Sequence, residues 1–340
     1  IRIESILPQE STETLVFEAS LDDLLAGRKL GSVDDARSFF AGGDNWPAYA
    51  VGALVVLANE RKIAFEHGVR ILIYSEVPQG KGVSSSAAIE VAVMKAVVEQ
   101  FGIEIESREL ALLCQKVENG IVGAPCGVMD QMASSCGVEN SLIELLCQPA
   151  ELRGTIDLPD EVEIWGIDSG IRHSVAGADY GTVRTAAFMG YRILAETAGL
   201  SVGVLGYGHV RIDDRKWNGY LASIGTAEFE GGLSAHLPDV LKGAEFLDRY
   251  GGVSDLYSTV RRESEYPVLA ATAHPIYENS RVRRFAELLK CPIGGPELRD
   301  LGELMYSSHD SYSACGLGSD GTDLLVSLVR EAGFAKGLYG

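Results

Sequence analysis

The sequence is short of positive charge, of long apolar runs and of paired cysteines, and each shortage removes a class of function. Lys and Arg number 29 against 48 Asp and Glu, a formal net charge of −19. So acidic a surface is a poor match for nucleic acid or an anionic membrane, although one pocket can be positive when the whole is not. No stretch reaches the ~18 consecutive apolar residues that a bilayer crossing needs, and no basic segment followed by an apolar one reads as a signal peptide. The six cysteines, Cys114, Cys126, Cys136, Cys147, Cys291 and Cys315, include no C-x-x-C pair and no histidine at zinc spacing. That argues against a structural metal site and predicts reduced, mostly buried thiols in a cytoplasmic protein.

The rest is ordinary for a globular chain. Hydrophobic residues make up 46% and charged ones 23%, and 340 residues are enough for one large core or two domains. There is no repeat and no low-complexity tract. The chain starts on Ile1 and ends on Gly-Leu-Tyr-Gly without a polar tail, so both ends read as cut.

Periodicity predicts the elements. Residues 45–60 (NWPAYAVGALVVLANE) are apolar on nearly every face, which predicts a buried helix. Residues 69–76 (VRILIYSE) read as a strand, and 85–101 as a helix with Ile89, Val93, Ala96 and Val97 on one stripe. A further helix spans about 107–119, with Leu110, Leu113, Cys114 and Val117 at helical spacing and Ser107 as N-cap. Four glycines and a proline make 120–137 an irregular loop, and VEIWGID at 162–168 reads as a strand. Helices follow near 181–199, 281–290, 298–313 and 320–332, while 203–230 has no clear pattern. The order is that of an α+β protein rather than a regular βαβ alternation. Composition marks no boundary, and a division is placed near residue 178.

The stretch VPQGKGVSSSAAIEVA, residues 77–92, lies between that strand and that helix. It is not a P-loop, because Lys81 is followed by Gly82 rather than Ser or Thr. It is only part of a dinucleotide fingerprint, because Ser85 stands where the third glycine belongs. What survives is physical. Gly80 and Gly82 let backbone approach a ligand. The helix start supplies unpaired N–H groups and a positive dipole end. Ser84, Ser85 and Ser86 add hydroxyls, one of which could ligate magnesium. A serine-capped helix after a glycine turn explains the same stretch, and the stretch alone does not separate the two readings.

Two other stretches favour the phosphate reading. CQKVENGIVGAPCGVMDQMASSCG, residues 114–137, places Glu118 at a helix end and Asp130 beyond it. Magnesium–nucleotide chemistry uses one carboxylate for the metal and often a second near the attacking hydroxyl. The plain alternative is a solvated helix residue and a turn residue. WGIDSGIRHSVAGADY, residues 165–180, runs from a strand through Gly, Ser and His to Asp-Tyr, and its plain alternative is a polar connection.

Together these stretches resemble the GHMP kinases, the galactokinase and mevalonate kinase superfamily. Pro78-Gln79-Gly80-Lys81-Gly82-Val83-Ser84-Ser85-Ser86-Ala87 is similar to that family's second motif, Pro-x-x-x-Gly-Leu-(Gly/Ser)-Ser-Ser-Ala. Pro125-Cys126-Gly127-Val128-Met129-Asp130-Gln131 is similar to the galactokinase Cys-Gly-Ile-Met-Asp-Gln segment. His173-Ser174 through Tyr180 and Asn45-Trp46-x-x-Tyr49 are similar to two further galactokinase stretches. The phrases AHPIYENSRV and SYSACGLGSDGTD differ from galactokinase and resemble a galactokinase-like subgroup that acts on L-arabinose.

The resemblance implies a two-domain fold, with a mixed-sheet α/β domain at 1–178 packed on a ferredoxin-like α+β domain at 179–340. It implies ATP and Mg2+ as cofactors and transfer to the C1 hydroxyl of a free sugar: L-arabinose, with D-galactose as the alternative and a non-catalytic sugar sensor as another. It makes Pro78, Gly80, Lys81, Gly82, Val83, Ser84, Ser85, Ser86 and Ala87 the ATP loop. Ser86 and Glu118 become the magnesium ligands and Asp130 the catalytic carboxylate. Gly127, Asp130 and Tyr180 become sugar contacts. The family's first motif has no counterpart before residue 40, and its third normally follows a Tyr-Gly pair like the terminal Tyr339-Gly340. Both suggest an internal fragment, truncated at the start of one domain and at the end of the other.

Overall fold

The computed structural model describes residues 1–6, 14–20, 32–41, 45–171 and 178–340. They fall into two compact units, Ile1–Thr155 and the residues from Ile156 onward. His173 and Ser174 lie outside the described residues.

In the first unit, β1 (Arg2–Ile6), β2 (Thr14–Glu18) and β3 (Arg70–Tyr74) form a sheet of order β2-β1-β3. β1 is antiparallel to β2 and parallel to β3, with Ile3 opposite both Phe17 and Ile71. The two-residue strand period turns Ile3 and Ile73 into the core and leaves Leu72 and Tyr74 in solvent. Helix α1 (Val33–Phe40) starts at Ser32, whose hydroxyl accepts from the Asp35 N–H at 3.1 Å. Helix α2 (Pro47–Glu60) is the expected buried helix, with Pro47 in its first turn and an unbroken buried run from Ala50 to Leu57.

Helix α3 (Ser85–Gln100) packs on α2, but its buried stripe is Ala87, Glu90, Val91, Val93, Met94, Val97 and Val98. Ala96 faces solvent, so the expected stripe is rotated by part of a turn. Helix α4 (Ser107–Lys116) buries Leu110, Ala111, Leu113 and Cys114, with Glu106 rather than Ser107 at its N-cap. It then widens into a π-helical turn, Val117–Val122, that buries Glu118 and Asn119. The glycine-rich segment 120–137 is therefore not one loop: after the π turn and a short connection it forms helix α5 (Met129–Cys136), packed on α3 and α4. A two-stranded sheet of β4 (Ser141–Leu146) and β5 (Glu151–Asp157) follows.

In the second unit, α6 (Ala178–Thr197) crosses the long helix Val268–Leu289, where Gly190 sits against Thr272. That helix contains Pro275. A proline normally breaks a helix, which hides the thirteen residues before 281 from a periodicity reading. β6 (Ser201–Gly206) and β7 (His209–Asp213) form an antiparallel hairpin in the segment that has no clear pattern. Its turn residues, Tyr207 and Gly208, both have positive φ, 53° and 79°. That is type I′ geometry without the Asn-Gly signal that usually announces it. Helices Gly295–Ala314 and Asp320–Ala332 lie at the expected places. Residues 162–168 form no strand, and Trp165 is 79% exposed. Alternation names the face a strand would bury, but a ladder also needs a neighbour, and no described strand pairs with this segment.

The π turn can lie against α2 only because position 52 has no side chain. A Cβ on Gly52 would collide with Val117 Cγ1. Gly52→Ala should therefore cost about 1–3 kcal/mol through overpacking, against a helix-propensity gain of about 1 kcal/mol. Chemical denaturation measures the balance, and a variant as stable as the parent would remove this constraint.

Candidate active site

The loop after β3 turns sharply. Gly80 and Gly82 have φ of 68° and 71°, and Ser84 follows at φ 59°. For a serine that left-handed conformation costs on the order of 1–3 kcal/mol, and such strain collects at functional sites. Ser84 occupies the N-cap of α3 yet makes no side-chain cap bond. The serine-capped-helix reading fails at this residue. The first N–H groups of α3 have no serine cap, so the end of the helix dipole is open to an anion. Pro78, Lys81, Gly82 and Val83 are exposed, Gly80 and Ser84 to Ser86 half-buried, and Ala87 buried.

In the first turn of α3, Ser86 meets Glu118. The Ser86 hydroxyl lies near enough to the Glu118 carboxylate to favour its charged form, which brings together two residues 32 positions apart in sequence. Glu118 Oε2 accepts from Gln131 Nε2 at 2.6 Å and from Cys126 Sγ at 3.3 Å. Burial pushes the Glu118 pKa up, the Ser86, Cys126 and Gln131 side chains pull it down, and the negative charge of Asp130 raises it again. No basic group contributes.

The connection from Gly123 to Val128 is tied to the π turn. Gly123 N–H and Ala124 N–H donate to the Glu118 carbonyl at 2.9 and 3.0 Å. Cys126 N–H donates to Asn119 Oδ1 at 2.6 Å, and its carbonyl accepts from Asn119 Nδ2 at 3.3 Å and from Gln115 Nε2 at 3.2 Å. This anchoring presents Gly127 to solvent and starts α5 with Asp130 in its first turn, half-buried. Asp130 is close enough for its charge to raise the pKa of both Glu118 and the Cys147 thiol. Ser86, Glu118, Gly127 and Asp130 thus belong to one neighbourhood of the first unit. Tyr180 is in the opening turn of α6, in the second unit.

Four further residues belong to the neighbourhood. Glu90, one turn after Ser86, is 1% exposed and holds its proton well above the usual carboxylate range because of burial and the nearby Glu118 charge. Gln131 is fully buried and reaches both Glu118 and Glu90. Cys126 has its thiol pKa raised by burial and by Glu118. Tyr49, on α2, is pushed up to about 12 by burial and by the charges of Glu118, Glu90 and Cys126. A signal for Glu90 was present in the sequence: it interrupts an apolar helical stripe, where an acid has no solvent.

All six cysteines are free, but only Cys114 and Cys315 are buried, so the expectation of mostly buried thiols is corrected. Among the described residues, no three His, Cys, Asp or Glu side chains gather to enclose a metal ion. Magnesium does not require such a cage. It is commonly held by one or two carboxylates with waters and substrate phosphates completing the shell. A hydroxyl and a carboxylate beside an open helix N-terminus, with negative charge uncompensated around them, fit that ion. No described helix is long and apolar enough to cross a membrane.

Residues 48–138 match the family described as "GHMP kinases N terminal domain". The chain carries that domain over these residues. It is 43% identical over 345 residues to L-arabinokinase of Arabidopsis thaliana, a match covering 97% of this chain and 33% of that protein. It is 35% identical over 158 residues to the galactokinase of Haemophilus influenzae strain PittEE, covering 45% of this chain and 41% of that protein. The chain thus spans about a third to two fifths of these curated relatives. The crystal structure of Lactococcus lactis galactokinase complexed with galactose superposes with a TM-score of 0.64 at 18% identity, over 97% of this chain and 69% of that one. That likeness fixes the GHMP fold.

The buried acids give a pH test. The ordinary pKa of Glu90 is 4.5 and its folded pKa lies well above that. Between the two values the folded chain binds a proton that the unfolded chain has released, so stability falls as pH rises through that window. Glu90→Gln removes the titration. The Tm of the variant minus that of the parent should therefore grow between pH 4.5 and 8. A pH-independent difference would contradict the assignment.

Proposed function

We propose that the protein is an ATP-dependent sugar 1-kinase that converts L-arabinose and ATP to L-arabinose 1-phosphate and ADP. The observation that carries the reading is the nearness of the Ser86 hydroxyl to the Glu118 carboxylate beside the uncapped start of α3. It sets a metal-ligating pair at the place where phosphate oxygens would meet backbone N–H groups. The 43% identity to L-arabinokinase along 97% of the chain supports L-arabinose as the acceptor.

In this reading Pro78 to Ala87 wrap the phosphates, and Gly80 and Gly82 allow backbone N–H groups close to them. Ser86 and Glu118 hold Mg2+, which offsets charge on the phosphate oxygens. Phosphoryl transfer is mostly positioning and charge stabilisation. The C1 oxygen forms its bond to the γ-phosphorus as the bond to the ADP oxygen breaks. Asp130 orients the C1 hydroxyl and takes its proton. Gly127 and Tyr180 contact the sugar. The ATP loop belongs to a domain ending near residue 178, and Tyr180 opens the domain after it.

Asp130→Asn should lower kcat about 10²–10⁴-fold with sugar affinity retained, as judged by calorimetry beside steady-state rates. A loss under about tenfold would remove Asp130 from its role. Parallel assays with L-arabinose and D-galactose decide the acceptor, because a pocket closed over the hydroxymethyl position favours the pentose. Equal kcat/KM values would end the preference for arabinose.

A further inference from the structure

We infer that Gln131 is a positioning residue that holds the Glu118 carboxylate in its metal-binding orientation, with Glu90 as its second anchor. This rests on the reading of Ser86 and Glu118 as magnesium ligands. Gln131 is 0% exposed, in the first turn of α5. A primary amide has two protons to donate, and the Gln131 nitrogen bonds two carboxylates from different elements. One is Glu118 Oε2 on the π turn at 2.6 Å and the other Glu90 Oε2 on α3 at 3.2 Å. Cys126 Sγ donates to the same Glu118 oxygen at 3.3 Å. With two donors on Oε2 the carboxylate cannot turn freely, and Oε1 stays clear of both.

This arrangement is costly as a stability device. Gln131 Oε1 and Glu90 Oε1 are buried with no hydrogen-bond partner, and a buried polar atom left unpaired is penalised. A well-packed apolar side chain at 131 would avoid that penalty. A glutamine held there makes sense as an orienting group, because outer-shell partners of metal ligands fix ligand geometry and their loss typically weakens metal binding 10–100-fold.

The test measures binding of Mn2+ in the presence of ADP, by electron paramagnetic resonance of free Mn2+, beside binding of ADP alone in EDTA. The proteins are the parent, Gln131→Leu, Glu118→Gln and the double variant. Gln131→Leu should weaken Mn2+ binding about 10–100-fold, leave metal-free ADP binding within about twofold, and add little in the Glu118→Gln background. Parental Mn2+ affinity in folded Gln131→Leu overturns the inference. So does a full additional loss in the double variant, since Gln131 would then act without Glu118. Parental Mn2+ affinity in Glu118→Gln overturns instead the metal reading beneath it. If Gln131→Leu does not fold, the parent labelled with 15N at glutamine amides serves. Mg2+ with ADP should shift the Gln131 side-chain signal and ADP with EDTA should not, and an unmoved signal overturns the inference.

Discussion

The burial of Glu118 is the constraint around which the first unit is arranged. A carboxylate taken out of water needs polar neighbours, and those around Glu118 come from different elements: the donors Cys126 from the connection and Gln131 from α5, and the Ser86 hydroxyl from α3. Those elements cannot drift apart without stranding the charge. The π-helical turn that carries Glu118 is itself pressed against α2 at Gly52 and against Val33 of α1 at Gly120. A single acid thus couples the apolar packing of four helices to the geometry of the loop beneath α3.

The same burial explains the sign of the local field. Glu118 and Asp130 bring negative charge into a site proposed to receive ATP, which is itself anionic, while the neighbouring Glu90 holds its proton. The contradiction is resolved by what lies between them. The open N-terminus of α3 favours anions, and a divalent cation on Ser86 and Glu118 would bridge the two sets of negative groups. The net charge of −19 across the chain therefore says little about the ligand, since a helix end and one ion decide the local potential.

Much of this was legible in the sequence. Long apolar patterns gave α2, α3 and α4 within a few residues, because burial repeats every helical turn and needs no knowledge of the partner. The resemblance of the stretches 78–87 and 114–137 to kinase motifs named Ser86, Glu118 and Asp130. The features that stayed hidden share a cause: each depends on a neighbour distant in sequence. The eight-residue α5 is held by α3 and α4 rather than by its own propensity. Segment 162–168 alternates like a strand but has no described strand beside it. Glu90 and Gln131 are polar residues at buried positions, and their meaning appears only when each is seen beside the other and beside Glu118.

The π-helical turn at Val117–Val122 also has a genetic consequence. Hydrogen bonds that skip five residues instead of four accommodate one residue more per turn than an α-helix would. Deleting a single codon within that turn would let the segment relax to α-helical winding, which leaves the chain beyond it pointing nearly the same way but draws in the backbone that carries the turn's side chains. Asn119 would lose its grip on Cys126 and Glu118 its donors, though no residue type had been substituted. Length, not only identity, is therefore a structural constraint in this short turn. Aligned relatives that keep an acid at position 118 should be far more tolerant of substitutions at Ile121 or Val122 than of gaps there.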